Sequence, residues 1–200
     1  MQLVLASQSP FRRSLLERLR LPFSIFNANI DEAPKPGEQA DELVIRLALA
    51  KAHAYPAQEP SLVIGSDQVG FIHGQILAKP LTVKKAEEQL ELMSGEEVIF
   101  YTGLCLHSHT NGYTDQFLHT TKVHFRNLVH EEIKNYVASE QPLHSCGSFQ
   151  VEGLGISLLR KIESDDPTGL IGLPLIHLSA MLRRAGIQVP QHPSPAILQH

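Results

Sequence analysis

Leu3-Val4-Leu5-Ala6-Ser7-Gln8-Ser9-Pro10-Phe11-Arg12-Arg13 opens the chain and decides how the rest is read. Leu3 to Ala6 is an apolar run long enough for one buried strand. Ser7 and Ser9 follow, Pro10 suits the first position of a helix, and Leu15, Leu16 and Leu19 share one helical face. The pattern predicts strand, tight turn, helix. Such a turn gathers hydroxyls, backbone N–H groups and the positive end of a helix dipole at one place. Arg12 and Arg13 fall in the first helical turn, where a cation is unfavourable unless an anion lies nearby. A phosphate group would meet that need. Taken alone, the stretch also fits an ordinary helix start with solvated arginines, so the phosphate reading requires other charged residues to converge on it.

The chain has 200 residues, 42% of them hydrophobic, which is enough to bury a core without metal or disulfide staples. A formal charge of −4 argues against a general binder of nucleic acid or anionic membranes. Cys105 and Cys146 lie far apart and read as small hydrophobes in a reducing compartment. No apolar run approaches membrane-spanning length, and the N-terminal run lacks the basic flank of a signal peptide. The expectation is a cytoplasmic protein with a single domain over residues 1–189. Pro190 to His200, with three prolines, reads as a disordered tail.

Strand and helix signals then alternate. Pro22 to Ala28 reads as a strand, 29–37 as a Pro/Gly loop, and Asp41 as the cap of a helix to Ala54 with Leu43, Leu47, Ala50 and Ala54 inward. Leu62 to Val69 is an apolar strand that turns abruptly acidic at Asp67, a common way to hold a reactive carboxylate on a rigid support. His73-Gly74 reads as a hairpin turn, and Thr82 caps a helix to Met93 with Val83, Ala86, Leu90 and Met93 inward. Glu97–Ser108 and Thr114–Phe125 form a hairpin about Asn111-Gly112, long enough for a lobe or a dimer ridge. A helix over Val129–Ser139, a turn-rich region to Gly155, a strand over Ile156–Ile162 and a last helix stopped by Gly186 complete the chain. The expected class is α/β with a mixed sheet flanked by helices.

Ser7, Arg12, Arg13, Glu32, Lys51, Asp67 and Lys79 form the chemically suggestive set. Carboxylates with several cations suit metal-assisted phosphoryl chemistry: acids hold a hard divalent ion, cations neutralise phosphate, and one acid orients or deprotonates water. Singly, each lysine or loop acid has an ordinary solvated reading; Asp67 differs, because an acid ending so apolar a strand needs partners. P-loop, H-E-x-x-H and G-x-G-x-x-G motifs are absent. His107 and His109 would share a strand face, but eleven scattered histidines without a second cluster favour surface or core roles.

The combination Leu5-Ala6-Ser7-Gln8-Ser9-Pro10-x-Arg12-Arg13, Asp31-Glu32, Ala50-Lys51-Ala52, Ser66-Asp67-Gln68-Val69 and Lys79-Pro80 resembles the Maf family of nucleoside-triphosphate pyrophosphatases. Tyr101-Thr102-Gly103, Gly147-Ser148-Phe149 and Gly172-Leu173-Pro174 agree as well, so the resemblance spans residues 2 to about 186. It implies an inosine-triphosphate-pyrophosphatase-like fold with a cleft between two lobes, usually in a homodimer. It also implies cleavage of a nucleotide between the α- and β-phosphates with a divalent metal, Mg²⁺ or Mn²⁺. By position, Asp67 would activate water, Glu32 would help Asp67 hold the metal, and Ser7, Arg12, Arg13, Lys51 and Lys79 would bind phosphates.

Phe11, Gln68 and Glu152 distinguish branches of that family. Members acting on thymidine and uridine triphosphates resemble Ser-Pro-Arg-Arg at the first turn, with threonine after the Asp and glutamine at the position of Glu152. The triplet here is similar to the branch that hydrolyses 7-methyl-GTP, although Phe11 stands where tryptophan is expected and Ala78 replaces the commoner glycine before Lys79. The chemistry agrees, since N7-methylation makes guanine cationic, an aromatic face attracts a cation, and a carboxylate accepts from N1–H and N2–H₂. The alternatives are a pyrophosphatase for dTTP, UTP or pseudouridine triphosphate, and a non-enzymatic nucleotide-binding regulator of septum formation.

Overall fold

The computed structural model of the chain describes residues 1–56 and 59–191. The expected tail falls, for 192–200, outside the described residues. The opening stretch folds as read: β1 (Gln2–Leu5), a turn, and α1 (Pro10–Glu17), whose first turn is capped by Ser9 accepting from the Arg12 N–H. Next come β2 (Ser24–Ile25), α2 (Ala40–His53), β3 (Ser61–Ile72), β4 (Gln75–Leu77) and α3 (Val83–Met93). The chain continues through β5 (Glu97–Ser108), β6 (Thr114–Phe125), α4 (His130–Glu140), β7 (Leu159–Glu163) and α5 (Leu175–Arg184).

All seven described strands join one sheet in the order β2-β1-β3-β5-β6-β7, with β4 added on β3. β1 runs parallel to β2 and β3, and the other pairs are antiparallel, so the sheet is mixed as expected. Side-chain alternation sorts its two faces. On one face, Leu62 and Ile64 of β3 and Leu104 and Leu106 of β5 pack with α1 and α5. Further along that face, Ile72, Phe100, Val123 and Phe125 pack with α3 and α4. Ser66, Gln68 and Thr102 interrupt the apolar pattern between these two cores. A cleft lies over that interruption.

The opposite face belongs to α2. A Cβ at Gly65 would fall on the Ala48 carbonyl oxygen, and one at Gly103 on that of Val44, so these two glycines let α2 lie directly on β3 and β5. Gly103 is also the cross-strand partner of Asp67. Close approach therefore occurs beside the acid, and it brings Lys51 to it.

Several expectations are corrected. Asp67 does not end its strand: β3 runs on to Ile72, because the ladder to β5 continues from Leu62 to Phe71. The 97–125 hairpin is no separate lobe or ridge, since β5 pairs with β3 along its length and the hairpin lies inside the sheet. α2 begins one residue before Asp41, with the Glu42 carboxylate reaching back to the Gln39 N–H at 3.1 Å. Its buried stripe is Leu43, Val44, Leu47, Ala48, Lys51 and Ala52, the side that meets the two glycines; Ala50 and Ala54 are only half-buried. Only Ser24 and Ile25 of the second predicted strand pair. Val83 is exposed because α3 turns Ala86, Leu90 and Met93 inward instead. Residues Leu154–Leu158 form a 3₁₀ turn, so the last strand starts only at Leu159.

Candidate active site

A cleft of about 610 Å³ opens between the two cores, a size that suits a small-molecule ligand. The β1–α1 turn supplies Ser7, Ser9, Phe11 and Arg12, the 29–37 loop Glu32, α2 Lys51, β3 Gln68, the segment after β4 Lys79, and the 3₁₀-rich region Cys146, Phe149 and Glu152. Residues from six parts of the chain thus converge there.

Lys51 and Glu32 line the cleft and Asp67 lies behind Lys51, outside the lining: Lys51 Nζ is 2.6 Å from Asp67 Oδ1 and 2.6 Å from Glu32 Oε1. Lys79 Nζ reaches Glu32 Oε2 at 3.9 Å. Lys51 and Asp67 are both buried, so they must pair; Glu32 and Lys79 remain about half open to water. Burial works against the charge on Glu32, but the Lys51 hydrogen bond and the nearby charges of Lys51, Lys79 and Arg12 outweigh it and hold the carboxyl below its ordinary value. A helix-surface lysine is what the sequence suggests for Lys51. The structure buries it because α2 packs so closely at Gly65 and Gly103.

Arg12 turns into the site: its Nε donates to the Gly172 carbonyl at 2.8 Å and its Nη1 lies 3.5 Å from Ser7 Oγ. Ser7 Oγ accepts from the Ser9 N–H at 3.2 Å, which shapes the turn. Arg13 takes the other direction. It pairs with Glu17 at 3.0 Å on the exposed side of α1 and does not line the cleft, because successive helical residues point about 100° apart.

Gln68 lines the cleft and also holds a loop. Its amide nitrogen lies 2.9 Å from Thr102 Oγ1 and 3.0 Å from the carbonyl oxygens of both Gly169 and Leu170. Thr102 Oγ1 also donates to Gly169 O at 3.0 Å, and Ser66 Oγ donates to Gly172 O at 2.9 Å. The polar break between the cores is therefore where the 164–174 loop docks, and both donors of the Gln68 amide are engaged in docking it. The sequence assigns Ser66 and Thr102 no role, because side chains that bond carbonyls 106 and 67 residues away leave no local signal.

Phe11 is half-buried in the cleft wall. Glu152 stands exposed at the rim, yet partial burial, joined by the charge of Glu140, pushes its carboxyl above the ordinary value. Cys146 donates its thiol to Gln68 O at 2.9 Å, and burial pushes that thiol up to about 11, which leaves it unreactive. His107 and His109 stack edge-on at 4.6 Å, and among the described residues no cluster of three or more His, Cys, Asp or Glu is arranged to hold a metal ion. Carboxylate oxygens of Glu32 and Asp67 are the hard donors that converge.

A family model described as Maf-like protein matches residues 2–185. The chain belongs to the Maf family. Among similar curated proteins, the 7-methyl-GTP pyrophosphatases of Vibrio vulnificus (strain CMCP6) and Vibrio cholerae serotype O1 (strain ATCC 39315 / El Tor Inaba N16961) are each 50% identical over 188 residues, covering 94% of this chain and 97% of theirs. The 7-methyl-GTP pyrophosphatase of Nitrosococcus oceani is also 50% identical, over 94% of both chains. Among the described residues of this Maf chain, no helix is long and apolar enough to cross a membrane.

Proposed function

We propose that this Maf protein hydrolyses 7-methyl-GTP to 7-methyl-GMP and pyrophosphate. The observation that carries the reading is a cleft lined both by cationic groups, Arg12, Lys51, Lys79 and the α1 N-terminus, and by Phe11 and Glu152. A ligand with an anionic chain and a cationic aromatic base matches both features. The 7-methyl-GTP pyrophosphatases at 50% identity support the same substrate.

In this reading Arg12, Lys79 and the Ser7–Ser9 turn hold the phosphate chain and offset its charge. Asp67 accepts a proton from the water that attacks phosphorus at the α–β bridge, and pyrophosphate leaves as the bridging P–O bond breaks. Lys51 holds the Asp67 carboxylate in place. A divalent cation fits the donor chemistry, because Glu32 and Asp67 are two hard carboxylates that lie close enough to share Lys51, and such ions are commonly held by one or two carboxylates plus phosphate oxygens. Mg²⁺ or Mn²⁺ held by these carboxylates would supply further charge neutralisation on the phosphates. The location that goes with this chemistry is the cytoplasm, which the two free thiols, Cys105 and Cys146, support.

Pyrophosphate release from 7-methyl-GTP, GTP, dTTP and UTP, each with Mg²⁺ or Mn²⁺, tests the reading. The expected result is metal-dependent release with 7-methyl-GTP preferred. A preference for dTTP or UTP would discard the substrate and keep the reaction; no release from any nucleotide would discard both.

A further inference from the structure

Two side chains one helical turn apart on α4 hold both ends of the turn that carries Glu152. The buried Tyr136 hydroxyl accepts from the Gln150 N–H at 3.0 Å. Glu140 Oε1 accepts from the Leu154 N–H at 3.1 Å. The spacing i, i+4 places both side chains on one face of the helix, and the two contacts fall two residues before and two residues after Glu152. A Cβ at Gly153 would fall on the Glu140 carboxylate, so that group is seated against the backbone of the turn itself. The Gln150 side chain is fixed in addition, its amide donating to Ser145 Oγ at 2.9 Å.

Glu140 stands where a helix resists it. As the last residue of α4 it adds negative charge to the negative end of the dipole, and the last turn of α4 carries no basic residue to offset it. Its carboxylate also raises the proton affinity of Glu152. An unfavourable placement that makes one hydrogen bond to the turn beside a ligand-lining acid points to a task in that turn rather than in the helix.

We infer that Tyr136 and Glu140 are positioning residues for substrate specificity, a two-point clamp that fixes the 150–154 turn so that Glu152 faces the base in the cleft. The inference rests on the reading of Glu152 as the base-binding acid. Without the clamp the turn gains conformers in which Glu152 points elsewhere, and the base loses affinity by the fraction of time it does so. Chemistry at Asp67 lies on α2's side of the sheet and is untouched.

Steady-state kinetics on the full chain with Mg²⁺ test this. Tyr136→Phe keeps the ring and loses the acceptor; it should raise KM for 7-methyl-GTP by about fivefold, the worth of one hydrogen bond, and leave kcat within about twofold. Glu140→Ala should do the same, and Glu140→Gln, which keeps an acceptor for Leu154, should restore KM. Either clamp variant combined with Glu152→Gln should add nothing to the effect of Glu152→Gln alone. An unchanged KM in Tyr136→Phe, a fall in kcat with KM held, or full additivity with Glu152→Gln would overturn the clamp. Should wild type prefer a pyrimidine triphosphate, the substrate reading fails separately, and the same KM comparisons on that nucleotide decide the clamp.

Discussion

Lys51 and Asp67 face each other across the α2–β3 interface with Nζ and Oδ1 2.6 Å apart, both buried, sixteen residues apart in sequence. The contact exists because α2 rests on glycine backbone at Gly65 and Gly103. It ties the sheet–helix packing to the residue proposed as the reacting acid.

Replacing Lys51 with Met leaves the buried Asp67 carboxyl without its partner. Such a loss costs about 3 kcal/mol or more when one half of a buried pair is removed. Asp67→Asn, by contrast, leaves Lys51 paired with Glu32 and should preserve the fold while lowering kcat by roughly 10³-fold, in the range seen when a general base is removed. Urea unfolding of both variants, with pyrophosphate release, checks the contrast. Equal destabilisation by the two substitutions would refute the pairing account.

Gly103→Ala should be worse than a surface change by far. The new methyl group would fall on the Val44 carbonyl oxygen, so α2 must move off the sheet, at a cost of about 3 kcal/mol for overpacking against backbone. Because Lys51 moves with α2, turnover in the folded fraction should also fall. Gly74→Ala, whose methyl would meet nothing within 4 Å but sits at φ +78°, should lose stability without that loss of turnover. Thermal denaturation and active-fraction titration distinguish the two.

The Glu152 carboxyl, pushed above its ordinary value of 4.5 by burial and by Glu140, protonates earlier than a free glutamate as pH falls. On the proposed reading of Glu152 as the base-binding acid, protonation would remove the charge that attracts a cationic base. KM for 7-methyl-GTP should therefore begin to rise on the acid side while pH is still above 4.5, and that rise should vanish in Glu152→Gln, which has no group to titrate. The acid limb of KM measured for both proteins decides it; an identical limb in the variant would assign the titration elsewhere.

Local chemistry in the sequence was enough for the strand–turn–helix at residues 2–17, the hairpin turns at His73-Gly74 and Asn111-Gly112, the Thr82 cap, and the α/β class with its mixed sheet. Those features depend on neighbours in the chain: φ preferences, side-chain periodicity and capping all act within a few residues. The motif letters likewise sufficed to bring Ser7, Arg12, Glu32, Lys51, Gln68, Lys79 and Glu152 under consideration together, and they converge on one cleft. What tertiary structure alone decided is the direction and engagement of each side chain. Arg13 turns out to Glu17 while its neighbour Arg12 turns in; Gln68 spends its amide on the Gly169 and Leu170 carbonyls; Lys51 is buried against Asp67; and Tyr136 and Glu140 reach across to the Glu152 turn. Each depends on where a distant backbone happens to lie, and that is set by the packing of whole elements, above all α2 on its two glycines, which no local pattern records.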